Sequence, residues 1–522
     1  MRCDARHNSN AAYSTTLDIE EKPGSDAFRI TDTPNGVRIT GNSETGLLAG
    51  TGKYLRTCTY DETGFDPSSW RGESTAAGDM RGIYFATHFL NWYEAAPVDE
   101  LRQYIEDLSL WGMNNLMLAF PMQHLTGWDD PGIERFFKRF RMLRDICHGL
   151  GIRIGHLLVP NHDFFHPREE FANTPNRDDF KRKGDNGNNV CPSIPGATEY
   201  VTRNFEEILR RHESAPPDFT GFWPYDEGGC GCDACYPWGG NGYVRLCRDF
   251  TERARAAFPD IDIILSTWVF DTPEAGEWEA LARSMDDGPW VDYILADAHE
   301  DFPRYPLDVE VPGGLPLISF PEISMWALGP WGGFGANPLP ERLQRLWDQV
   351  KHVVRGGFPY SEGIFEDTNK AVALQFYWNP DHTADGTLRE YVSYECPGAD
   401  VDEVIEMIAG IEVNQTRVAA GNPPDTDLTE EVLAKANHID ANISIPKAWR
   451  WRILYMRAVL DNERYAVTFE GDWSPHLDWT NLLADNATAQ TAMRELMDIF
   501  LCMDIIDETH HEHAWVSPPI AR

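Results

Sequence analysis

Long apolar runs are missing from this chain of 522 residues. The longest ones, such as Asn115 to Phe120 and Ile261 to Phe270, have the length of strands and fall far short of the roughly 20 residues that span a bilayer. The N-terminus also lacks the apolar segment of a secretory signal. We therefore expect a cytoplasmic protein that has no membrane partner.

Basic residues are scarce as well, since 45 lysines and arginines stand against 83 aspartates and glutamates, for a net charge of −38. This balance excludes a nucleic-acid partner, because phosphate binding needs clustered lysine and arginine. The acidic residues are dispersed and lysine is rarer than arginine. Such a composition suits either solubility at high salt or an ordinary acidic surface, and it leaves the oligomeric state open.

The ten cysteines are too few for a disulfide scaffold in a chain of this length. Three of them, Cys230, Cys232 and Cys235, have the spacing of half a zinc site, to which Cys191 or Cys247 could add a fourth ligand. A structural zinc ion, a local disulfide and packed free thiols are the three alternatives. A zinc ion here would stiffen the surrounding loop.

The chain length predicts two or three domains, because single cores stop growing below this size. Residues 28–40 are predicted to form a hairpin and residues 45–57 a short helix, so we expect a small α+β domain at 1–78. The strand signal disappears in residues 396–522, which are predicted to form a helical domain. Its amphipathic helices are expected at 400–420, 428–438, 446–468 and 486–504.

Between these regions, residues 79–382 alternate short apolar strands with amphipathic helices. Eight such units favour an α/β fold of the (β/α)₈ TIM barrel type over an open sheet, although the sixth connection lacks a convincing helix. The strands are predicted at 82–87, 115–120, 153–159, 219–225, 262–270, 291–296, 315–320 and 357–364. In such barrels the chemistry lies at the C-terminal ends of the strands.

The fourth predicted strand ends in two adjacent carboxylates, Asp226 and Glu227, beside the aromatic residues Trp223 and Tyr225. Cleavage of a glycosidic bond needs one carboxyl that stays protonated until it donates to the leaving oxygen, and a second group that stabilises positive charge on the sugar. An apolar wall and a neighbouring carboxylate both raise the pKa of the first carboxyl. The pair therefore predicts a glycoside-cleaving site, which requires no cofactor.

The ends of other predicted strands add His162, Trp268, Glu322 and Glu362. Carboxylates bind sugar hydroxyls, and aromatic faces stack on the apolar faces of pyranose rings, so a carbohydrate is the expected partner. For each residue alone, the alternative is a salt bridge or a packed ring at the top of the barrel.

The segment 81–85, the segment 98–118 and the pair Asp226 and Glu227 resemble the family 20 glycoside hydrolases, the β-N-acetylhexosaminidases. The upstream hairpin and helix are similar to the small N-terminal domain of that family and of the family 67 α-glucuronidases. The resemblance implies that Glu227 is the general acid/base. It also implies that Asp226 orients a 2-acetamido group of the substrate, which itself attacks the anomeric carbon.

The same resemblance implies that Arg81, Trp268 and Glu362 bind the sugar and that His162 polarises the acid. The helical C-terminal domain is similar to that of the α-glucuronidases, which implies an alternative activity on a uronide, with Glu322 or Glu362 as the base. Ala86-Thr87-His88 replaces the first-strand aspartate of family 20, so a sugar-binding barrel without catalysis is a third hypothesis. A metal-dependent enzyme built on the three clustered cysteines is a fourth.

Overall fold

The computed structural model describes most of the chain, namely residues 13–61, 64–89, 91–175, 189–225, 228–272, 275–324, 336–444, 448–466 and 486–501. Asp226 and Glu227 lie outside these ranges. No helix within them combines the length and the hydropathy that crossing a membrane requires.

The N-terminal region is a four-stranded sheet covered on one face by a helix. Its elements are β1 Ser14–Ile19, β2 Ala27–Thr33, β3 Gly36–Gly41, α1 Glu44–Arg56, the small hairpin β4 Thr59–Asp61 and β5 Gly64–Asp66, and β6 Gly72–Thr75. The strand order is β1-β3-β2-β6. The predicted hairpin is the centre of this sheet, with Ile30 opposite Ile39. The outer strands β1 and β6 are largely exposed and therefore lack the apolar alternation that sequence reasoning uses.

Nine strand segments of the described chain close into an eight-stranded parallel barrel. They are β7 Met80–Phe85, β8 Asn115–Ala119, β9 Arg153–Leu158, β10 Phe219–Phe222, β11 Asp262–Ser266, β12 Tyr293–Ala298, β13 Leu317–Pro321, β14 Val354–Gly357 and β15 Tyr360–Ser361. β14 and β15 together form the eighth strand, because both pair with β7. At this closure Gly356 has a φ of +121°, and a Cβ there would lie 1.9 Å from the carbonyl oxygen of Met80. The closed parallel barrel confirms the predicted fold class.

Helices surround the barrel between its strands. They are α2 Trp92–Ala95, α3 Val98–Leu110, α4 Pro131–His148, α5 Ala197–Arg211, α6 Val244–Ala257, α7 Glu277–Ser284, α8 Tyr305–Asp308, α9 Pro340–Val350 and α10 Asp367–Trp378. The sixth connection contains the four-residue α8 and one short 3-10 turn but no longer helix, as its weak signal predicted. Short 3-10 turns and one π-helical turn lie in the loops, at Thr87–Phe89, Met122–His124, Glu169–Phe171, Gly239–Tyr243 and Pro312–Gly314.

Within the described residues, five further helices form the C-terminal region, namely α11 Ala384–Glu395, α12 Val401–Ala419, α13 Thr426–Asn442, α14 Trp449–Ala466 and α15 Ala487–Leu501. Four of them match predicted helices, whereas α11 lies between the two predicted domains. Every residue of α10 is buried. This helix lies between the barrel and the C-terminal helices. Asp367, at the start of α10, forms an ion pair with Arg450 of α14 and so connects the two regions.

Arg81 connects the N-terminal region to the barrel. Side chains of β7 alternate between the barrel interior and its outside, and Arg81 lies outside with only 1% of its surface exposed. Its guanidinium donates to the carbonyl oxygens of Gly112 at 2.8 Å and Gly78 at 2.7 Å, pairs with Asp26, and lies 5.0 Å from the ring of Trp378. The structure therefore places Arg81 at the N-terminal end of β7, away from the side where a substrate would bind.

We expect Arg81→Met to lower the free energy of unfolding by about 3–5 kcal/mol, because it leaves the Asp26 carboxylate without its buried partner. Urea unfolding monitored by tryptophan fluorescence would measure the change. Arg102→Met removes an exposed arginine whose nearest carboxylate lies 4.0 Å away, and it serves as the control. Unchanged stability of the Arg81 variant together with weakened substrate binding would contradict this assignment.

Candidate active site

The C-terminal ends of the barrel strands converge on a group of aromatic and acidic side chains. We name this group the mouth cluster, and it comprises Tyr84, His88, Trp223, Trp268, His299, Phe320, Glu322, Tyr360 and Glu362. Seven of its members lie at or just after the C-terminal ends of β7, β10, β11, β12 and β13. The other two, Tyr360 and Glu362, belong to the end of the eighth strand. Parallel strands that share a register bring such residues to one end of the barrel.

Aromatic rings form the wall of the mouth cluster. Trp223 stacks on Trp268 with ring centroids 5.3 Å apart and lies 4.8 Å from Phe320. On the opposite flank, the ring of Tyr84 lies 5.4 Å from Phe320 and 5.7 Å from Tyr360. These rings offer apolar faces of the kind that stack on a pyranose ring.

Trp268 also supplies a hydrogen-bond donor. Its side chain is buried, and its Nε1 has no hydrogen-bond partner among the described residues. A buried donor without a partner is costly, so such a group at a site indicates a ligand or water that accepts its hydrogen bond.

Glu322 lies beside a histidine, His299. Burial opposes the charge of His299, but Asp297, whose Oδ1 lies 2.7 Å from Nδ1, and Glu322, whose Oε2 lies 3.9 Å from Nε2, raise the pKa of His299 above its ordinary value. Arg342 donates to the backbone carbonyls of Glu322, at 2.8 Å, and of His299. The histidine and the glutamate are thereby held together at the ends of neighbouring strands.

Glu362 has the opposite electrostatic environment. Burial, together with the negative charges of Glu322 and Glu366, raises its pKa to about 8, although the hydroxyl of Tyr360 donates to its Oε1 at 2.7 Å. Glu362 is therefore protonated at neutral pH and can donate a hydrogen bond. A protonated carboxyl group near a second carboxyl group that is paired with a histidine is an arrangement that acid/base chemistry uses.

Histidines border the other side of the mouth cluster. The Nδ1 atom of His88 lies 3.2 Å from the hydroxyl of Tyr84. Burial and the charges of His124 and His162 lower the pKa of His88 to about 3, which keeps it neutral. His162 is buried at the end of β9 and thus lies on the His88 side of the mouth.

The chain that leads to Asp226 and Glu227 is held by hydrogen bonds. Tyr225 is 1% exposed and its hydroxyl donates to Glu277. Trp238 donates from Nε1 to the carbonyl oxygen of Pro224 at 2.6 Å, and Tyr243 donates to that of Phe222 at 2.6 Å. These bonds position the last described residue before the predicted catalytic pair.

The structure brings together three of the predicted binding residues, Trp268, Glu322 and Glu362, and places His162 nearby. It does not bring Arg81 to this site. The predicted pair Asp226 and Glu227 lies outside the described residues, between Tyr225 and Gly228. Four further members of the site were not predicted to bind the sugar, namely His88, Trp223, His299 and Tyr360. Each of them lies in a segment at the end of a predicted strand, which is the signal that could have identified it.

The clustered cysteines form a separate group. The sulfur atoms of Cys230, Cys232 and Cys235 lie with that of Cys191 within 4.8 Å of one another. Cys247 is buried in α6 and does not belong to this group. Of the two predicted fourth members, the structure therefore selects Cys191.

No family model and no curated protein matches the sequence. Among solved structures, the fold is similar to a family 89 glycoside hydrolase from Clostridium perfringens in complex with its substrate GlcNAc-α-1,4-galactose. The TM-score is 0.62 and the identity is 14%, over 94% of this chain and 62% of that chain. This chain thus spans less than two thirds of that protein.

Two further solved structures are glycoside hydrolases of other families. A family 115 4-O-methyl-α-glucuronidase with specificity for decorated arabinogalactans has a TM-score of 0.55 and 10% identity, over 94% of this chain and 68% of that one. A family 20 β-N-acetylglucosaminidase, from the family that the sequence resembles, has a TM-score of 0.46 and 13% identity, over 78% of this chain and 88% of that one. TM-scores of 0.62 and 0.55 show that the family 89 and family 115 structures share the fold of this chain, and identities this low show nothing beyond the fold.

The raised pKa of Glu362 predicts a pH dependence of stability. The folded state keeps this proton up to about pH 8, whereas the unfolded chain releases it near its ordinary value. The contribution of Glu362 is therefore complete at low pH and is lost as the pH rises to about 8, by about 1.4 kcal/mol per pH unit within that window. Glu362→Gln, which stays neutral, removes this dependence.

We expect the difference in unfolding free energy between Glu362→Gln and the wild type to increase in favour of the variant from pH 5 to pH 8. Chemical unfolding at several pH values measures this difference. The control is Glu252→Gln, an exposed glutamate on α6. Parallel stability curves for the wild type and Glu362→Gln would show that Glu362 is ionised throughout.

Proposed function

We propose that this protein is a glycoside hydrolase that removes a terminal N-acetylhexosamine, with Glu227 as the general acid/base and Asp226 assisting. The observation that carries the proposal is the pairing of Glu322 and Glu362 in opposite electrostatic environments, within an aromatic wall at the C-terminal end of a TIM barrel. Glu227 follows the neighbouring aromatic residues of the fourth strand in the sequence. The reaction consumes water and needs no cofactor.

Each group then has a defined task. Glu227 donates its proton to the leaving oxygen and afterwards takes a proton from water. Asp226 orients the 2-acetamido group, which attacks the anomeric carbon. Glu362, protonated, donates to a hydroxyl of the sugar, and the Glu322 carboxylate beside His299 accepts from another.

The choice of sugar rests on charge and on fold similarity. The carboxyl groups of Asp297 and Glu322 flank His299 in the described part of the mouth, so a uronate that approached them would meet repulsion that a neutral acetamido sugar does not. The family 89 structure contains a GlcNAc-terminated substrate. A uronide remains the second candidate, because the family 115 α-glucuronidase has the same fold.

A panel of 4-nitrophenyl glycosides tests the proposal. It contains the α- and β-N-acetylglucosaminides, the β-N-acetylgalactosaminide, plain hexosides and an α-glucuronide, at low and at multimolar salt. We expect turnover of an acetamido sugar and a fall in kcat of about 10²–10⁴-fold in Glu227→Gln. Glu252→Gln is the matched control. Turnover of the glucuronide alone would support the second candidate. Full activity of Glu227→Gln would refute the assigned acid/base, because hydrolysis of the intermediate by water still needs its carboxylate as the base.

A natural leaving group sharpens the test of Glu227. 4-Nitrophenolate departs without protonation, whereas the alkoxide of a sugar needs a proton from the acid. We therefore expect Glu227→Gln to lose more activity on a GlcNAc-galactose disaccharide than on the aryl glycoside. Asp226→Asn is expected to lose activity on both, because the acetamido group attacks the anomeric carbon as either leaving group departs.

The indole N–H of Trp268, which has no hydrogen-bond partner among the described residues, leads to a separate prediction. Trp268→Phe keeps an aromatic face and removes the N–H donor, so we expect KM to rise about tenfold, the equivalent of one hydrogen bond of about 1.4 kcal/mol. Steady-state kinetics measure this change. Trp290→Phe removes a buried indole whose Nε1 donates to Ser284, outside the mouth cluster, and should leave KM unchanged. An unchanged KM in Trp268→Phe would show that its N–H does not contact the sugar.

A further inference from the structure

Four cysteine sulfurs meet in the loops that follow β9 and β10. All four lie within 4.8 Å of one another, and the sulfurs of Cys191 and Cys232 are 3.6 Å apart. A disulfide would require about 2.05 Å, and none of the described cysteines forms one. Four sulfurs around a zinc ion at about 2.3 Å are separated by about 3.8 Å, which matches this cluster.

A hydroxyl group lies against the cluster as well. The Oγ atom of Ser193 is 3.0 Å from the sulfur of Cys235. A hydroxyl at this distance orients a sulfur ligand, as outer partners of metal ligands commonly do.

Hydrogen bonds also hold the two loops that carry the cysteines against each other. Asn161 at the end of β9 donates from Nδ2 to the carbonyl oxygens of Val190, at 3.1 Å, and Gly229, at 3.0 Å. The N–H of Gly231 donates to the carbonyl oxygen of Thr174 at 2.8 Å. These bonds bring Cys191 to a motif about 40 positions later in the chain, so the four-sulfur arrangement does not depend on the C-x-C-x-x-C turn alone.

From this geometry we infer that Cys191, Cys230, Cys232 and Cys235 bind one structural zinc ion. Four thiolates select zinc among the common divalent ions that lack redox chemistry, and four protein ligands leave no position for water or substrate. Cys230, Cys232 and Cys235 each release one proton on binding, as does Cys191. Cys232 is the least buried of the four and lies where the ion enters.

The ion joins the loop after β9 to the loop after β10. Cys230 stands three positions after Glu227 in the sequence, so the zinc ion restrains the C-terminal side of the predicted catalytic segment. This inference concerns the ligands themselves and holds whether or not the proposed hydrolase activity is correct. Its tests therefore do not use activity.

Metal analysis of the purified full-length protein is the first test. We expect about one zinc per chain after purification or after reconstitution of the reduced protein with zinc sulfate. Cobalt(II) added in place of zinc should give the intense visible absorption of tetrahedral thiolate coordination. Both measurements use the wild type and do not depend on the folding of a variant.

Variants assign the ligands. Cys232→Ser and Cys235→Ser should lose most of the bound zinc and the cobalt spectrum, and a chelator should lower the thermal midpoint of the wild type more than theirs. Cys247→Ala removes a buried thiol outside the cluster and should keep one zinc. Absence of zinc after reconstitution, stoichiometric iron in its place, or a mass two units lower that identifies a disulfide among the four would each overturn the inference.

Discussion

Burial of ionisable side chains is the constraint on which both the mouth cluster and its support depend. A charge transferred from water to a protein interior is costly unless a partner or a proton neutralises it. Glu362 satisfies this condition by keeping its proton, and Glu322 by its position beside His299. The same condition holds beneath them in α10, where Lys370 pairs with Glu366 at 3.6 Å and both side chains are almost fully buried.

Glu366 connects this buried pair to the site. Its carboxylate accepts hydrogen bonds from Ser324 at 2.6 Å, after β13, and from Ser361 at 3.0 Å, in β15. Ser324 stands two positions after Glu322, and Ser361 stands one before Glu362. One buried carboxylate therefore fixes the spacing of the two strand ends that carry the acidic groups. Its negative charge also contributes to the raised pKa of Glu362, so the positioning and the protonation of the site have a common origin.

Features that depend on a local sequence pattern could be predicted from the sequence. Features that depend on a contact with a residue distant in the sequence could not. Alternating strands and helices predict the barrel, and the strand-end rule selects Trp268, Glu322 and Glu362. The roles of His299 and Glu366 depend on neighbours from other strands, which no local pattern records. The family resemblance predicted that Arg81 binds the sugar. Arg81 lies on the same face of β7 as Ile83 and Phe85, which pack outside the barrel, so its side chain points away from the mouth. Cys191 joins its cluster only because the loop after β9 folds back.

The two halves of the mouth are supported by different physical means. The half formed by β12, β13 and the eighth strand depends on buried charges, so its geometry responds to pH through Glu362 and His299. The half that leads into the predicted catalytic pair depends on neutral hydrogen bonds to Phe222 and Pro224 and on the cysteine cluster that follows. An acid that must both give and take a proton needs a fixed position at every stage. The hydrogen bonds from Trp238 and Tyr243 to backbone carbonyl oxygens meet that need, because a change in the protonation of Glu362 or of the substrate leaves them unaltered.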